Sequence, residues 1–285
     1  MFKNIDPIVL PGQYTSHMHS FFGSDAIAVN TTTSTELQKG CSTTENPNDF
    51  STYWVPTLYL VGNDGKTYRP IVPMRFSAYY EQPESAEIAI PQNKVEADAG
   101  ISWFCGGNAT DESKDAAAFP TTTYSTHLQT LLHFHDCVNP GTLERAYLGN
   151  PRLKPGYGDN WCPSDIKRIP QLRFSIRYDL RKLLSHGWSG APPLAFACGS
   201  LYCTHGDFID GWLPEAAESM VQDAAAKYTF FAVDGPLGDA SVGSVCGAEN
   251  AKDSDPTLGT SDYFESLRMM GNLVTKAQRN FKRRH

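Results

Sequence analysis

Three places in the chain put a histidine two residues from a second polar ligand: His17-Met18-His19, His133-Phe134-His135-Asp136 and His205-Gly206-Asp207. In extended chain, residues i and i+2 point to the same face, so each pair presents two polar heads side by side. Acid–base chemistry uses such grouping because one charge resets its neighbour's pKa. Divalent metal binding uses it because three or four ligands must converge on one ion. The ordinary alternative is a hydrogen-bonded structural histidine. It weighs most on His133 and His135, which lie in the apolar run Leu131, Leu132, Phe134. His127, His186 and His285 have no such polar neighbour and are assigned no role.

The stretch Asp207-Phe208-Ile209-Asp210-Gly211-Trp212 adds two carboxylates beside a tryptophan. Sugar-processing sites pair carboxylates with aromatic rings, since the ring stacks on the apolar face of a pyranose while the acids bind hydroxyls or move protons. A helix entrance capped by Asp210 ahead of Pro214 explains the same residues without chemistry. No G-x-S-x-G elbow, P-loop, G-x-G-x-x-G or H-E-x-x-H occurs.

These side chains need rigid elements behind them. The run 53–61 is aromatic and β-branched and reads as a strand, with Pro56 indicating an edge or a bulge. Asn63-Asp64-Gly65 supplies a turn, and 67–72 returns as its hairpin partner. Residues 172–178 alternate with period two, as a half-buried strand does. Short apolar runs lie at 86–90 and 101–104, and weaker strand signals at 131–134 and 229–233. Residues 30–52 are polar and read as a surface loop. One helix starts at Pro214, with Ala217, Met220 or Val221, Ala224 and Tyr228 on one face. A second spans 262–281 with Phe264, Leu267, Met270, Val274, Ala277 and Phe281 as its stripe. The expected fold is mainly β: an antiparallel, jelly-roll-like β-sandwich with loop-rich insertions and two C-terminal helices. It forms a single domain, 1–285, with its core at 5–240 and a helical extension at 260–283.

Composition narrows the classes. Of 285 residues, 24 are basic and 31 acidic, giving a net charge of −7. That balance argues against a nucleic-acid binder with a broadly basic surface. With 40% hydrophobic residues the chain can bury a core, and no apolar run is long enough to span a membrane. Seven cysteines are spread along the chain without a C-x-x-C pair, which fits an exported, disulfide-bearing protein. The sequons at Asn30 and Asn108 agree with an extracellular glycoprotein. No apolar signal segment follows Met1, so the export segment is expected to be trimmed or the N-terminus incomplete, with the odd cysteine's partner ahead of Ile5.

Several stretches together resemble one family. They are Ile5-Asp6-Pro7-Ile8-Val9, Ser16-His17-Met18-His19-Ser20-Phe21-Phe22-Gly23, Tyr53-Trp54-Val55-Pro56-Thr57-Leu58-Tyr59, Tyr79-Tyr80, and His205-Gly206-Asp207-Phe208-Ile209-Asp210-Gly211-Trp212. In this order they resemble the secreted fungal and actinobacterial domain-of-unknown-function family nineteen-ninety-six, over most of 5–240. The resemblance implies an exported protein, and the family's association with cell-wall and cellulose-binding modules implies work on polysaccharide or fungal cell wall. It implies no mechanism. The chain departs from the family pattern around His135-Asp136-Cys137, where no Ser-His pair follows closely.

The leading expectation is a secreted carbohydrate-active protein, a glycoside hydrolase or polysaccharide lyase, whose partner is a polysaccharide or cell-wall glycan and which needs no cofactor. Its catalytic groups would be His17, His19, His205, Asp207 and Asp210. Tyr53, Trp54, Tyr59, Arg75, Tyr80 and Trp212 would bind the substrate. A non-catalytic glycan-binding domain would need the aromatics alone. A secreted transition-metal-binding protein would use His17, His19 and His205, since neutral imidazole suits copper or zinc.

Overall fold

Strict alternation in two strands explains the architecture. Phe21 and Trp54 point to one face of a sheet, while Phe22, Tyr53 and Val55 point to the other, and both faces are covered. The structure, a computed structural model, describes residues 1–97, 100–105, 119–121, 127–147, 162, 166–199, 203–247 and 263–272. In chain order its elements are β1 (Phe2–Lys3), β2 (His19–Gly23), α1 (Ser34–Leu37), β3 (Thr52–Pro56), β4 (Leu58–Val61), β5 (Tyr68–Pro70), β6 (Arg75–Glu81), β7 (Val95–Ala97), β8 (Gly100–Cys105) and β9 (Leu128–His133). There follow β10 (Cys137–Val138), β11 (Arg145–Tyr147), β12 (Lys167–Arg168), β13 (Gln171–Tyr178), β14 (Leu194–Phe196), β15 (Asp207–Ile209), α2 (Pro214–Gln222) and α3, residues 263–272. Short 3-10 turns lie at Pro83–Ser85 and Phe230–Ala232.

The fold is mainly antiparallel β. A five-stranded sheet runs β1-β2-β3-β15-β7 and a four-stranded sheet β6-β13-β9-β8, with two three-stranded sheets, β14-β4-β5 and β11-β10-β12. Tyr53, Val55 and Phe208 of the first meet Leu132, Phe174 and Ile176 of the second in one core, so the two sheets face each other as in a sandwich. The outer face of the first sheet carries Phe21, Trp54 and Ile209, covered by Ile5, Ile27 and Leu37. Burial on both faces is why β3 reads as a continuous aromatic and β-branched run.

Some local expectations change. β3 lies inside its sheet rather than at an edge. Pro56 ends it, and the chain breaks at Thr57 before β4 joins another sheet, so the missing proline N–H falls where pairing stops. The hairpin partner forms as β5, pairing Tyr59 with Pro70. The run 86–90 forms no strand; the Glu87 and Ile88 amides donate to the Arg168 carbonyl. The segment 229–233 is a 3-10 turn, with Phe231 exposed. α2 stops at Gln222, because Asp223 is extended, so Ala224 and Tyr228 lie beyond it and Tyr228 is exposed. Within 30–52 the chain is ordered and partly buried: Thr33 and Glu36 form a capping box on α1, and Asn46, Asn48, Asp49 and Ser51 are buried. α3 buries Tyr263 and Ser266 and exposes Phe264, which reverses part of the expected stripe, and its remainder beyond 272 lies outside the described residues.

Disulfides join Cys41 to Cys246, Cys137 to Cys162, and Cys198 to Cys203. They use six of the seven cysteines. The last, Cys105, ends β8, and its side chain lies outside the described residues. No described helix is long and apolar enough to cross a membrane.

Candidate functional site

β2 and β15 flank β3, and β3 ends at Pro56, opposite His19. Side chains just beyond that end therefore meet across the gap. His17, His19 and His205 offer ring nitrogens that all lie within 4.8 Å of one another, and Asp6, His19 and Asp207 form a second such group. The imidazole centroids of His17 and His19 are 4.0 Å apart, and those of His19 and His205 are 5.5 Å apart. His19 Nε2 lies 3.3 Å from His205 Nε2, and His205 Nε2 lies 3.4 Å from Asp207 Oδ2. The i, i+2 spacing thus does what extended chain dictates in both pairs.

The surroundings hold these rings in place. His19 Nδ1 is 2.9 Å from the Ile5 carbonyl and His205 Nδ1 is 2.8 Å from the Cys203 carbonyl. Each Nδ1 carries the proton and donates it, because a carbonyl can only accept. When the rings are neutral, both Nε2 atoms are thereby left as lone pairs. Asp6 accepts the Ile8 and Val9 amides through Oδ1. Ser266 of α3 accepts the Met18 amide, fixing the residue between the two N-terminal histidines. Gly206 allows a close approach: a Cβ there would lie 2.9 Å from Leu132 Cδ2 and 3.1 Å from the Phe174 ring, and both side chains would have to shift.

Burial dominates the electrostatics. His17 and His19 are buried; desolvation, with the nearby imidazoles adding to it, lowers the His17 pKa to about 3 and that of His19 well below the usual range. Burial raises the Asp6 pKa. The His205 side chain, 23% exposed, is the solvent-facing member of the group.

Of the expected catalytic set, His17, His19, His205 and Asp207 converge and Asp210 does not. Asp210 is buried elsewhere, accepting from Gln92 Nε2 at 3.2 Å. The aromatic set does not form one exposed platform. Trp54 stacks on Phe21, Tyr59 packs with Met18 and Tyr263, and Trp212 packs against Tyr80 and α2, all in the interior. These rings act as core because their neighbours cover both faces.

A concavity opens on the other side of the five-stranded sheet, about 870 Å³ in volume. Three expected substrate-binding residues, Tyr53, Arg75 and Tyr80, line it, together with Tyr79, Phe230 and Phe231. Asp49, in the segment 30–52 expected to be a polar surface loop, also lines it. Asp49 Oδ2 accepts from Tyr53 OH at 2.7 Å, and the Tyr53 and Tyr80 hydroxyls are 2.7 Å apart. Desolvation raises the pKa of Asp49, and raises that of Asp210 well above the carboxylate range with help from the Asp49 charge. Asp6 was missed too; its only signal was its place in the opening Ile-Asp-Pro segment.

The family described as "Domain of unknown function (DUF1996)" matches residues 6–212. The chain belongs to that family. The match spans Asp6, His17, His19, His205 and Asp207 on one side and Asp49, Tyr53, Arg75 and Tyr80 on the other. Neither the curated proteins nor the solved structures contain a match to the chain.

Proposed function

We propose that this member of the family is an exported carbohydrate-active protein that binds a segment of polysaccharide or cell-wall glycan in the groove lined by Tyr53, Arg75 and Tyr80. One observation carries the reading: the groove joins exposed aromatic rings to a buried, hydrogen-bonded acid. Phe230 and Phe231 are exposed there, and the buried Asp49 lines the same groove as part of the Asp49–Tyr53–Tyr80 chain. Rings that cover a pyranose face and polar groups that bind hydroxyls are what an amphipathic sugar needs. The volume, about 870 Å³, falls in the range of ligand clefts. The three disulfides fit an extracellular setting.

The groove offers two phenols and one carboxylate for acid–base chemistry. A lyase needs a base beside its substrate, and burial raises the Tyr53 and Tyr80 pKa values well above the phenol range, so both stay protonated. Asp49, whose pKa burial raises while Tyr53 OH and the Ser51 amide donate to it, is the acid–base candidate of the groove.

Reducing-end release across a panel of chitin, β-glucan, xylan and mannan oligosaccharides tests the reading. Turnover of one class is expected, with Asp49→Asn lowering it by about 10²-fold or more while binding persists. Binding without turnover would favour a non-catalytic glycan-binding domain. No binding to any of the four would refute the reading.

A further inference from the structure

The histidine group has a geometry the groove does not explain. His19 Nε2 and His205 Nε2 face each other at 3.3 Å while both Nδ1 atoms donate to backbone carbonyls. Two lone pairs aimed at one another repel unless a cation lies between them. A shared proton would serve that pair but not the third ring. His17 is 5% exposed, and neither of its ring nitrogens has a hydrogen-bond partner. A buried imidazole left without partners loses its hydration and gains nothing in return. A single ion reaches all three rings.

We propose that His17, His19 and His205 bind one divalent first-row transition metal ion, with zinc the best fit, and that Asp207 and Asp6 supply the negative charge beside it. The distances suit this ion. A tetrahedral centre with Zn–N of about 2.0–2.1 Å has ligand atoms about 3.3 Å apart. The observed 3.3 Å between His19 Nε2 and His205 Nε2 is that edge. The second contacts of His19 and His205 are those of a metal-bound histidine, which donates its other N–H to a carbonyl or carboxylate and is oriented by it. The donor set is three neutral nitrogens with a carboxylate oxygen 3.4 Å from His205 Nε2. That is borderline-soft chemistry, suited to zinc or copper and not to calcium or magnesium. Entry lies on the His205 side, since His17 and His19 are buried. The inference is independent of the glycan reading, because the groove shares none of these side chains.

The test uses the whole disulfide-bonded protein stripped with a chelator. Titration calorimetry with Zn²⁺ is expected to show one equivalent per chain, unaffected by excess Ca²⁺ or Mg²⁺. Cu²⁺ tighter than Zn²⁺, the general order for nitrogen donors, would support the site. Co²⁺ is expected to give the intense visible bands of a tetrahedral centre. His205→Ala, on the exposed side and therefore tolerated by the fold, is expected to weaken Zn²⁺ binding by at least about 100-fold. His186→Ala, at an exposed histidine outside the group, should leave it unchanged. No stoichiometric transition-metal binding, or equal affinity in wild type and His205→Ala, would overturn the proposal. So would a Co²⁺ spectrum of octahedral, aqueous type.

Discussion

His19 and His205, 186 residues apart in sequence, bring their Nε2 atoms to 3.3 Å across the end of β3. Each ring is oriented by one backbone carbonyl, Ile5 for His19 and Cys203 for His205. The pair is thus built from two strands and two flanking loops, and its fit depends on the native fold. Metal binding should therefore stabilise the folded state alone. At free Zn²⁺ 100-fold above its dissociation constant, the expected gain is about 2.7 kcal/mol. Thermal unfolding of the chelated protein with and without Zn²⁺ measures it, and His205→Ala should remove the difference.

Two disulfides should separate stability from site geometry. Cys41–Cys246 closes a sequence separation of 205, so Cys41→Ser with Cys246→Ser is expected to cost about 2–4 kcal/mol in denaturant unfolding. Cys198–Cys203 closes a separation of only 5, so its removal should cost less. Yet the Cys203 carbonyl orients His205. Cys198→Ser with Cys203→Ser should therefore weaken Zn²⁺ affinity more than it lowers the unfolding midpoint, which calorimetry and melting curves compare directly.

Asp210 should make the protein less stable as pH rises. Its folded pKa lies well above the unfolded value because burial, and then the Asp49 charge, penalise the carboxylate. Its favourable contribution is complete below the unfolded pKa of about 3.9 and is lost as pH rises through the folded value. Asp210→Asn keeps an oxygen for Gln92 and removes the charge. The variant is expected to be the more stable at pH 7, with the advantage vanishing towards pH 3.5, in urea titrations across that range.

Asp136 follows a histidine pair in sequence, but it serves the fold. Its Oδ2 lies 3.2 Å from Arg168 Nη2, and both side chains are fully buried. Removing one partner of a buried pair leaves the other charge uncompensated. Asp136→Ala is expected to cost about 3–5 kcal/mol in chemical unfolding, without changing Zn²⁺ stoichiometry.

The sequence by itself determined which residues share a face. His17 with His19, and His205 with Asp207, were legible because extended chain has a period of two. The β class was legible because runs such as 172–178 alternate. What only the tertiary structure decided was which faces meet. The strand order β2-β3-β15 brings His17 and His19 to His205 and brings Asp6 to Asp207, a long-range register that no local pattern encodes. Burial was equally hidden. Trp54 and Trp212 have the composition of a sugar platform, yet neighbours from Phe21 to Tyr80 cover them. Asp49 looked like loop, because a polar segment becomes interior only when other elements fold over it and satisfy its hydrogen bonds.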